Sequence, residues 1–304
     1  MPKIIDVNKL HKSYGSLTAV NDVSFAVEEG EIFGMVGPNG AGKTTTIECI
    51  EGLREPDGGE ISLLGMQPIK DKEAVYQQIG IQLQESSLPS RLKVKEALDL
   101  FASFYGNSES PAKLLSELGL EEKRNTSFAT LSGGQKQRLF IALALINKPK
   151  IVFFDELTTG LDPQARHSMW EMVKKIRDGG STVFLTTHFM EEAEKLCDRV
   201  LILDHGSIVA LDSPTRLVDK IGAEMRISFS LPLNYPTPDF KNIPQVKRIE
   251  KVEERVMVFG RGERFISKVV ACLEDEKIPF HDLHIEQPNL EDVFLALTGH
   301  EMRE

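Results

Sequence analysis

Residues 37–45 read GPNGAGKTT, a glycine-rich loop that ends in a lysine and two threonines. Its first eight residues satisfy the pattern G-x-x-x-x-G-K-[ST], in which backbone N–H groups surround phosphate oxygens at a helix N-terminus. The apolar run Ile32–Val36 precedes the loop, and a helical pattern follows it to about Leu53. This strand, loop and helix order is the context that the pattern requires, whereas a plain glycine turn before a helix is the alternative. The sequence therefore predicts a nucleotide site on an α/β fold.

Within this loop the side chains have separate expected roles. Lys43 is expected to neutralise the β and γ phosphates, and Thr44 to ligate Mg²⁺. The other loop residues are expected to contact the nucleotide; they are Gly37, Pro38, Asn39, Gly40, Ala41, Gly42 and Thr45.

Two acidic residues follow a second apolar run, Ile151–Phe154. A carboxylate at the C-terminal end of a parallel strand lies beside the crevice where nucleotides bind, so Asp155 is expected to hold the Mg²⁺ shell. Glu156 is placed to orient or deprotonate the attacking water. A solvated acidic pair at a strand end is the alternative, and the phosphate loop makes it the weaker one.

The segment LSGGQKQR, residues 131–138, begins another predicted helix. Ser132 is suited to cap it, Gly133 and Gly134 permit close backbone approach, and the helix dipole favours anions. An ordinary capped helix start is the alternative. The five residues that end at Gln135 indicate a second phosphate-binding surface.

The surrounding pattern predicts antiparallel strands before the loop and a largely parallel sheet covered by helices. We expect an ATPase domain over residues 1–221, with a helical subdomain inserted at about 85–148, and a small α+β domain over 222–304. The proline-containing stretch Leu231–Pro244 is expected to be a domain junction or a long loop.

Composition restricts the classes of function. The chain has 304 residues, 41% hydrophobic and 27% charged, which is typical of a globular protein. A formal net charge of -10 makes nucleic acid an unfavourable partner. The three cysteines are scattered, which argues against a zinc or redox motif and favours a reducing cytoplasm. The apolar runs are too short to span a bilayer, so any membrane role is expected to need a partner.

These motifs together resemble the ATP-binding cassette family of transporter ATPases, from about Lys3 to Pro214. The resemblance implies ATP with Mg²⁺, and a P-loop NTPase core with an antiparallel β subdomain. It also implies that the LSGGQ segment faces the phosphate loop of a second cassette, identical or related, so that one ATP lies between Lys43 of one copy and Ser132 of the other.

The resemblance assigns four more residues. Tyr14 would stack on adenine, Gln84 would contact Mg²⁺ and a membrane partner, Asp162 would communicate between the two sites, and His188 would sense the γ-phosphate. A packing role for Tyr14 and a structural role for His188 remain alternatives, and Gln82 competes with Gln84. One departure is Leu157, where the family usually has proline, so we expect a less rigid turn there.

The ending LEDVFLALTGHE, Leu290–Glu301, resembles cassettes of drug and sodium exporters related to daunorubicin resistance pumps; an amphipathic docking helix is the plainer interpretation. The expected function is the ATP-hydrolysing subunit of an exporter, held at the cytoplasmic face of the membrane by a multi-span permease. A soluble ATPase in translation or DNA maintenance is the alternative. A regulatory module with a dead site is disfavoured because Lys43, Asp155, Glu156 and His188 are all present.

Overall fold

The computed structural model describes residues 2–83, 87–222, 224–233 and 235–299. The chain divides into two units between Pro214 and Thr215. The boundary expected after residue 221 lies at the far end of helix α8 (Pro214–Ile221), and this helix groups with the second unit. No helix within the described residues is both long enough and apolar enough to cross a membrane.

A six-stranded sheet forms the centre of the first unit, and its neighbouring strands are parallel except for a final hairpin. In spatial order the strands are β5 (Ile79–Gln82), β6 (Ile151–Asp155), β7 (Thr182–Thr187), β3 (Ile32–Val36), β8 (Arg199–Asp204) and β9 (Ser207–Asp212). Strands β3, β6 and β7 are buried along their whole length, as expected for a parallel sheet with both faces covered. The predicted parallel α/β fold is confirmed.

A three-stranded antiparallel sheet packs on this centre. It contains β1 (Lys3–Tyr14), β2 (Leu17–Glu28) and β4 (Gly58–Leu63), with β1 in the middle. The rings of Phe25 and Phe33 stack at 5.4 Å, and those of Phe33 and Phe184 at 5.5 Å. One hydrophobic core therefore joins the two sheets.

Seven α-helices belong to the described part of the first unit. They are α1 (Lys43–Ile50), α2 (Lys72–Tyr76), α3 (Val94–Ala102), α4 (Pro111–Glu117), α5 (Gly133–Ala144), α6 (Pro163–Asp178) and α7 (Met190–Leu196). Helices α3 to α5 lie in sequence between β5 and β6, where the helical insertion was expected. Helices α1, α6 and α7 follow β3, β6 and β7, so the three intervening loops meet at one edge of the sheet.

The second unit is a four-stranded antiparallel sheet with its own core. In spatial order its strands are β11 (Val246–Val252), β12 (Arg255–Gly260), β10 (Met225–Ser230) and β13 (His281–Glu286). Helices α9 (Phe265–Asp275) and α10 (Leu290–Thr298) complete the unit with α8. The stretch Leu231–Pro244 is a loop inside this unit and not a domain junction, because Leu231 and Phe240 are fully buried in its core.

Candidate functional site

The phosphate loop connects β3 to α1, and two of its glycines are required by close packing. A Cβ on Gly37 would lie 2.2 Å from the carbonyl oxygen of Leu203, and one on Gly42 would lie 2.3 Å from that of Ala19. Gly42 also has a φ of 100°, in the left-handed region that favours glycine. The loop is therefore built to bring backbone close to a ligand at the start of α1.

Lys43 closes this loop on itself. Its Nζ atom donates to the carbonyl oxygen of Gly37 at 2.8 Å and to that of Pro38 at 3.1 Å. Burial lowers the pKa of the Lys43 ammonium, and the charges of Glu156 and Asp155 oppose that shift. Burial removes the water that would stabilise the ammonium charge, and a phosphate anion at this position would stabilise that charge instead.

The rest of the loop is more open. Asn39, Gly40 and Thr44 are exposed, Pro38 and Thr45 are partly exposed, and Ala41 is buried. Thr44 lies in the first turn of α1, where helical N–H groups have no partner within the helix. These positions suit contact with a triphosphate.

Asp155 ends β6 and is 96% buried, since only 4% of its surface is exposed. The hydroxyl of Thr186, on the neighbouring strand β7, donates a hydrogen bond to its Oδ1. Burial raises the pKa of Asp155, the charge of Glu156 adds to that rise, and the Thr186 bond and Lys43 oppose it. The Thr44 hydroxyl and the Asp155 carboxylate are hard oxygen donors of the kind that Mg²⁺ takes, so this pair of residues fits the ion.

Glu156 adopts a left-handed backbone conformation with a φ of 51°. Its N–H donates to the carbonyl oxygen of Thr186 at 3.1 Å, which fixes the turn against β7. Its Oε2 accepts a hydrogen bond of 3.2 Å from the hydroxyl of Thr159. A non-glycine residue held in this sparsely populated region is typical of functional sites.

His188 lies directly after β7 and close to the side chain of Glu156. Its Nδ1 atom is 3.4 Å from the Glu156 Oε1, and the same oxygen is 3.9 Å from the Lys43 Nζ. The structure thus brings together Lys43, Glu156 and His188, three residues that are far apart in the sequence. A buried carboxylate close to two nitrogen atoms can accept a proton from water or hold water in place.

The segment around Ser132 forms a capped helix start, as expected from its sequence. The Ser132 Oγ accepts from the Gln135 N–H at 3.3 Å, and the Gln135 Oε1 accepts from the Ser132 N–H at 3.0 Å. Ser132 and Gly133 are exposed, and Gly134 and Gln135 are partly exposed. The polar end of α5 is therefore open to a partner.

A side chain from the second turn of this helix reaches the turn that contains Glu156 and Leu157. The Gln137 Nε2 donates to the carbonyl oxygen of Leu157 at 2.8 Å, and the Leu157 side chain is only 2% exposed. The turn that lacks proline at this position is thus held by a hydrogen bond and by packing.

The three other residues that the resemblance assigns are Tyr14, Asp162 and Gln84. Tyr14 is 41% exposed, and the guanidinium of Arg54 lies 5.3 Å from its ring centroid. Asp162 caps α6 by accepting from the Ala165 N–H at 2.9 Å. Gln84 lies outside the described residues, whereas its competitor Gln82 is buried and its Nε2 donates to the carbonyl oxygen of Leu83.

Sequence reasoning missed Thr186, Thr159 and Gln137. Thr186 and Thr159 carry no distinctive pattern, since threonine is common in strands and turns. The signal for Gln137 was its place within LSGGQKQR, but its bond to a residue 20 positions away needs the fold.

A cavity of about 420 Å³ opens beside the strand that precedes residue 84. Its lining is mainly apolar and includes Tyr76, Leu83, Leu88, Phe101, Tyr105 and Phe140. The cavity therefore lies between the central sheet and the inserted helices, within the first unit.

Known proteins resemble this chain over almost all of its length. Residues 20–159 match the family described as ABC transporter. A Nod factor export ATP-binding protein I from Burkholderia orbicola is 36% identical over 99% of this chain and 98% of its own length. The protein of the same description from Cupriavidus pinatubonensis is 39% identical over 99% of this chain and 92% of its own length.

Solved structures agree with the sequence comparison. An ATP-binding subunit of an ABC transporter is 33% identical, with a TM-score of 0.66, and the match covers 72% of this chain and 93% of that one. A dimeric ATP-binding cassette bound to ADP and phosphate after hydrolysis is 27% identical, with a TM-score of 0.63, over 69% of this chain and 98% of that one.

Proposed function

This chain belongs to the ABC transporter family of ATP-binding subunits, which bind and hydrolyse ATP, and on that premise we propose that it is the motor subunit of an exporter. The observation that carries the proposal is that the Lys43 Nζ and the His188 Nδ1 both lie within 4 Å of the Oε1 atom of Glu156. This arrangement has the parts that phosphoryl transfer to water needs: a cation for phosphate, a general base and a second nitrogen donor.

The direction of transport is proposed from the relatives and from the tail. The curated relatives cited above are described as export ATP-binding proteins, and they align with this chain through its second unit. The terminal sequence LEDVFLALTGHE supports the same assignment by its resemblance to exporter cassettes. These relatives do not favour the alternative of a soluble ATPase in translation or DNA maintenance.

ATP hydrolysis is proposed to require two cassettes. The polar start of α5 is exposed, and Ser132 and Gln135 bond to each other. A phosphate of ATP bound to a second copy could meet these N–H groups at the helix N-terminus. The related cassette solved as a dimer with ADP and phosphate supports this assembly. The second cassette is an identical copy or a related chain.

Within this assembly each residue has a defined task. Lys43 would bind the β and γ phosphates, Tyr14 would stack on the adenine, and the loop residues 37–45 would hold the phosphates through their N–H groups. Thr44 and Asp155 would hold Mg²⁺, with Gln84 as a further ligand, and the bound ion would supply positive charge for phosphoryl transfer. Glu156 would orient and deprotonate water, and His188 would contact the γ-phosphate. Asp162 would lie near the second site.

A membrane permease is the proposed partner that receives the motion. The cavity lined by Leu83 and Phe101 is mainly apolar and lies where the inserted helices meet the nucleotide-binding core. A helix or loop of a partner with an apolar tip would fit such a cleft. We propose that this contact holds the chain at the cytoplasmic face of the membrane, and that nucleotide-driven closure is transmitted through it.

Two measurements test the proposal. The purified chain should hydrolyse ATP with Mg²⁺, and Lys43→Ala should abolish hydrolysis while the chain remains folded. The chain should also co-purify with a multi-span membrane protein encoded beside it. Activity that is unchanged in Lys43→Ala would overturn the assigned site. Failure to recover a multi-span membrane protein with the chain would contradict the exporter assignment and leave the ATPase assignment intact.

A further inference from the structure

Another buried carboxylate has no part in the reaction described above. Glu192, on α7, is 2% exposed. Its Oε1 accepts a hydrogen bond of 3.0 Å from the indole Nε1 of Trp170, on α6, and both groups are buried. A buried carboxylate is costly unless its oxygens are bonded, so a side chain of this kind usually serves a specific contact.

The two helices joined by this bond begin at functional positions. Helix α6 is capped by Asp162, and α7 begins two residues after His188. A second contact links the same two segments, because the guanidinium of Arg166 lies 4.1 Å from the ring centroid of Phe189. The Glu192–Trp170 bond therefore ties the segment that carries His188 to the helix that begins at Asp162.

The electrostatic surroundings agree with a fixed, bonded carboxyl group. Burial raises the pKa of Glu192, while the nearby hydroxyls of Thr187 and Thr158, the hydrogen bond from Trp170 and the charge of Arg166 oppose that rise. Thr187 immediately precedes His188, and its Oγ1 accepts from the Phe189 N–H at 3.0 Å. Glu192 thus has as neighbours both Thr187, which directly precedes His188, and Trp170 on α6.

We propose that Glu192 is a positioning residue for ATP hydrolysis: by bonding Trp170 it holds α7 against α6 and keeps His188 at its place beside Glu156. The proposal rests on the function proposed above. It also extends that function, because the same bond links His188 to the loop at Asp162, which is expected to border the second site. A misplacement of about 1 Å at a distant support can lower a rate about 100-fold.

The test compares Glu192→Ala with Glu191→Ala, which removes an exposed carboxylate from the same helix. In Glu192→Ala, kcat should fall about 10- to 100-fold while KM for ATP stays within about twofold, because binding groups are untouched. Glu191→Ala should keep both values. Trp170 is the only tryptophan of the chain, so its emission maximum should change in Glu192→Ala and not in Glu191→Ala. An unchanged emission would contradict the bond.

Two further variants separate positioning from general stability. Glu192→Gln keeps an oxygen that accepts from Trp170, so kcat should remain within about threefold of the parent. Trp170→Phe removes the donor and retains an aromatic ring, so it should lower kcat as Glu192→Ala does. The double variant that carries Glu192→Ala and Trp170→Phe should show no further loss of kcat. These two variants decide the question even if Glu192→Ala does not fold.

A failure of the proposed function can be distinguished from a failure of the role proposed for Glu192. If the unmodified chain and Glu191→Ala do not hydrolyse ATP, the proposed function is wrong. If they hydrolyse ATP and either Glu192→Ala or Trp170→Phe matches them in kcat, only the role of Glu192 is wrong. A raised KM with unchanged kcat would likewise overturn the positioning role.

Discussion

The Nζ atom of Lys43 lies 3.9 Å from the Oε1 atom of Glu156, and these side chains are only 5% and 7% exposed. His188 approaches the same oxygen at 3.4 Å. The carboxylate of Glu156 is therefore a counter-charge for Lys43. We expect a γ-phosphate to take over that role, which would leave Glu156 to act on water.

Replacing Glu156 with glutamine should separate binding from hydrolysis. Glu156→Gln keeps the shape of the side chain and removes its basicity, so hydrolysis should slow about 10²- to 10⁴-fold. ATP binding should persist, and size-exclusion chromatography with ATP should show a longer-lived dimer. Glu171→Gln, on the exposed face of α6, is the matched control. Ordinary turnover in Glu156→Gln would remove Glu156 from its role.

The bond from Gln137 to Leu157 should matter for turnover. Gln137→Ala removes a hydrogen bond worth about 1 kcal/mol and should lower kcat about 3- to 10-fold, with the Kd for ATP nearly unchanged. Steady-state ATPase rates and equilibrium binding measure the two values. The control is Gln77→Ala, which changes an exposed glutamine at the end of α2 and should alter neither kcat nor the Kd for ATP. Equal kcat in both variants would mean that packing of Leu157 alone holds the turn.

Local motifs made much of the fold and site predictable from sequence. The strand, glycine loop and helix around Lys43 are contiguous, and so are Asp155 and Glu156, so their patterns predict their placement. The bonds of Gln137 with Leu157 and of Trp170 with Glu192 join residues 20 and 22 positions apart on different elements. Such pairs depend on how helices pack, which periodicity does not encode.

Two strands were missed for other physical reasons. β5 has only four residues, too few for a periodic pattern. β11 reads VKRIEKV, and its charged residues obscure the alternation of an edge strand. The stretch Leu231–Pro244 suggested a junction because of its prolines, but its buried Leu231 and Phe240 were the signal that it packs in a core.

The last helix should stabilise the second unit more than it affects nucleotide binding. Leu290, Val293 and Phe294 on α10 are at most 1% exposed, and burying each such side chain contributes about 1.5–3 kcal/mol. Deleting residues 290–304 should lower the thermal stability of this unit or disturb assembly, with the Kd for ATP within about threefold of the parent value. Phe294→Ala is a milder variant. Loss of ATP binding in a chain that remains folded would contradict this division of roles.

The reactivity of the three cysteine thiols should be lower where the side chain is more buried. Burial raises the pKa of Cys49 to about 11 and that of Cys197 well above its usual value, so both remain protonated at pH 8. Cys272 is partly exposed and should react first with a disulfide reagent, at a rate that rises with pH as thiolate forms. Cys49 and Cys197 should react only after denaturation, as peptide mass spectrometry can show. Labelling of Cys49 ahead of Cys272 in the native chain would contradict the described core.

The most direct test of an ATP site shared between two cassettes is complementation between two inactive variants. Lys43→Ala removes the phosphate lysine, and Ser132→Arg blocks the exposed start of α5, so each variant alone should be inactive. In a mixed dimer, one site carries both defects and the other carries neither. An equimolar mixture should therefore recover about a quarter of the parent ATPase activity, since about half of the dimers are mixed and each has one intact site. Activity of the mixture no greater than the mean of the two separate variants would contradict the shared site.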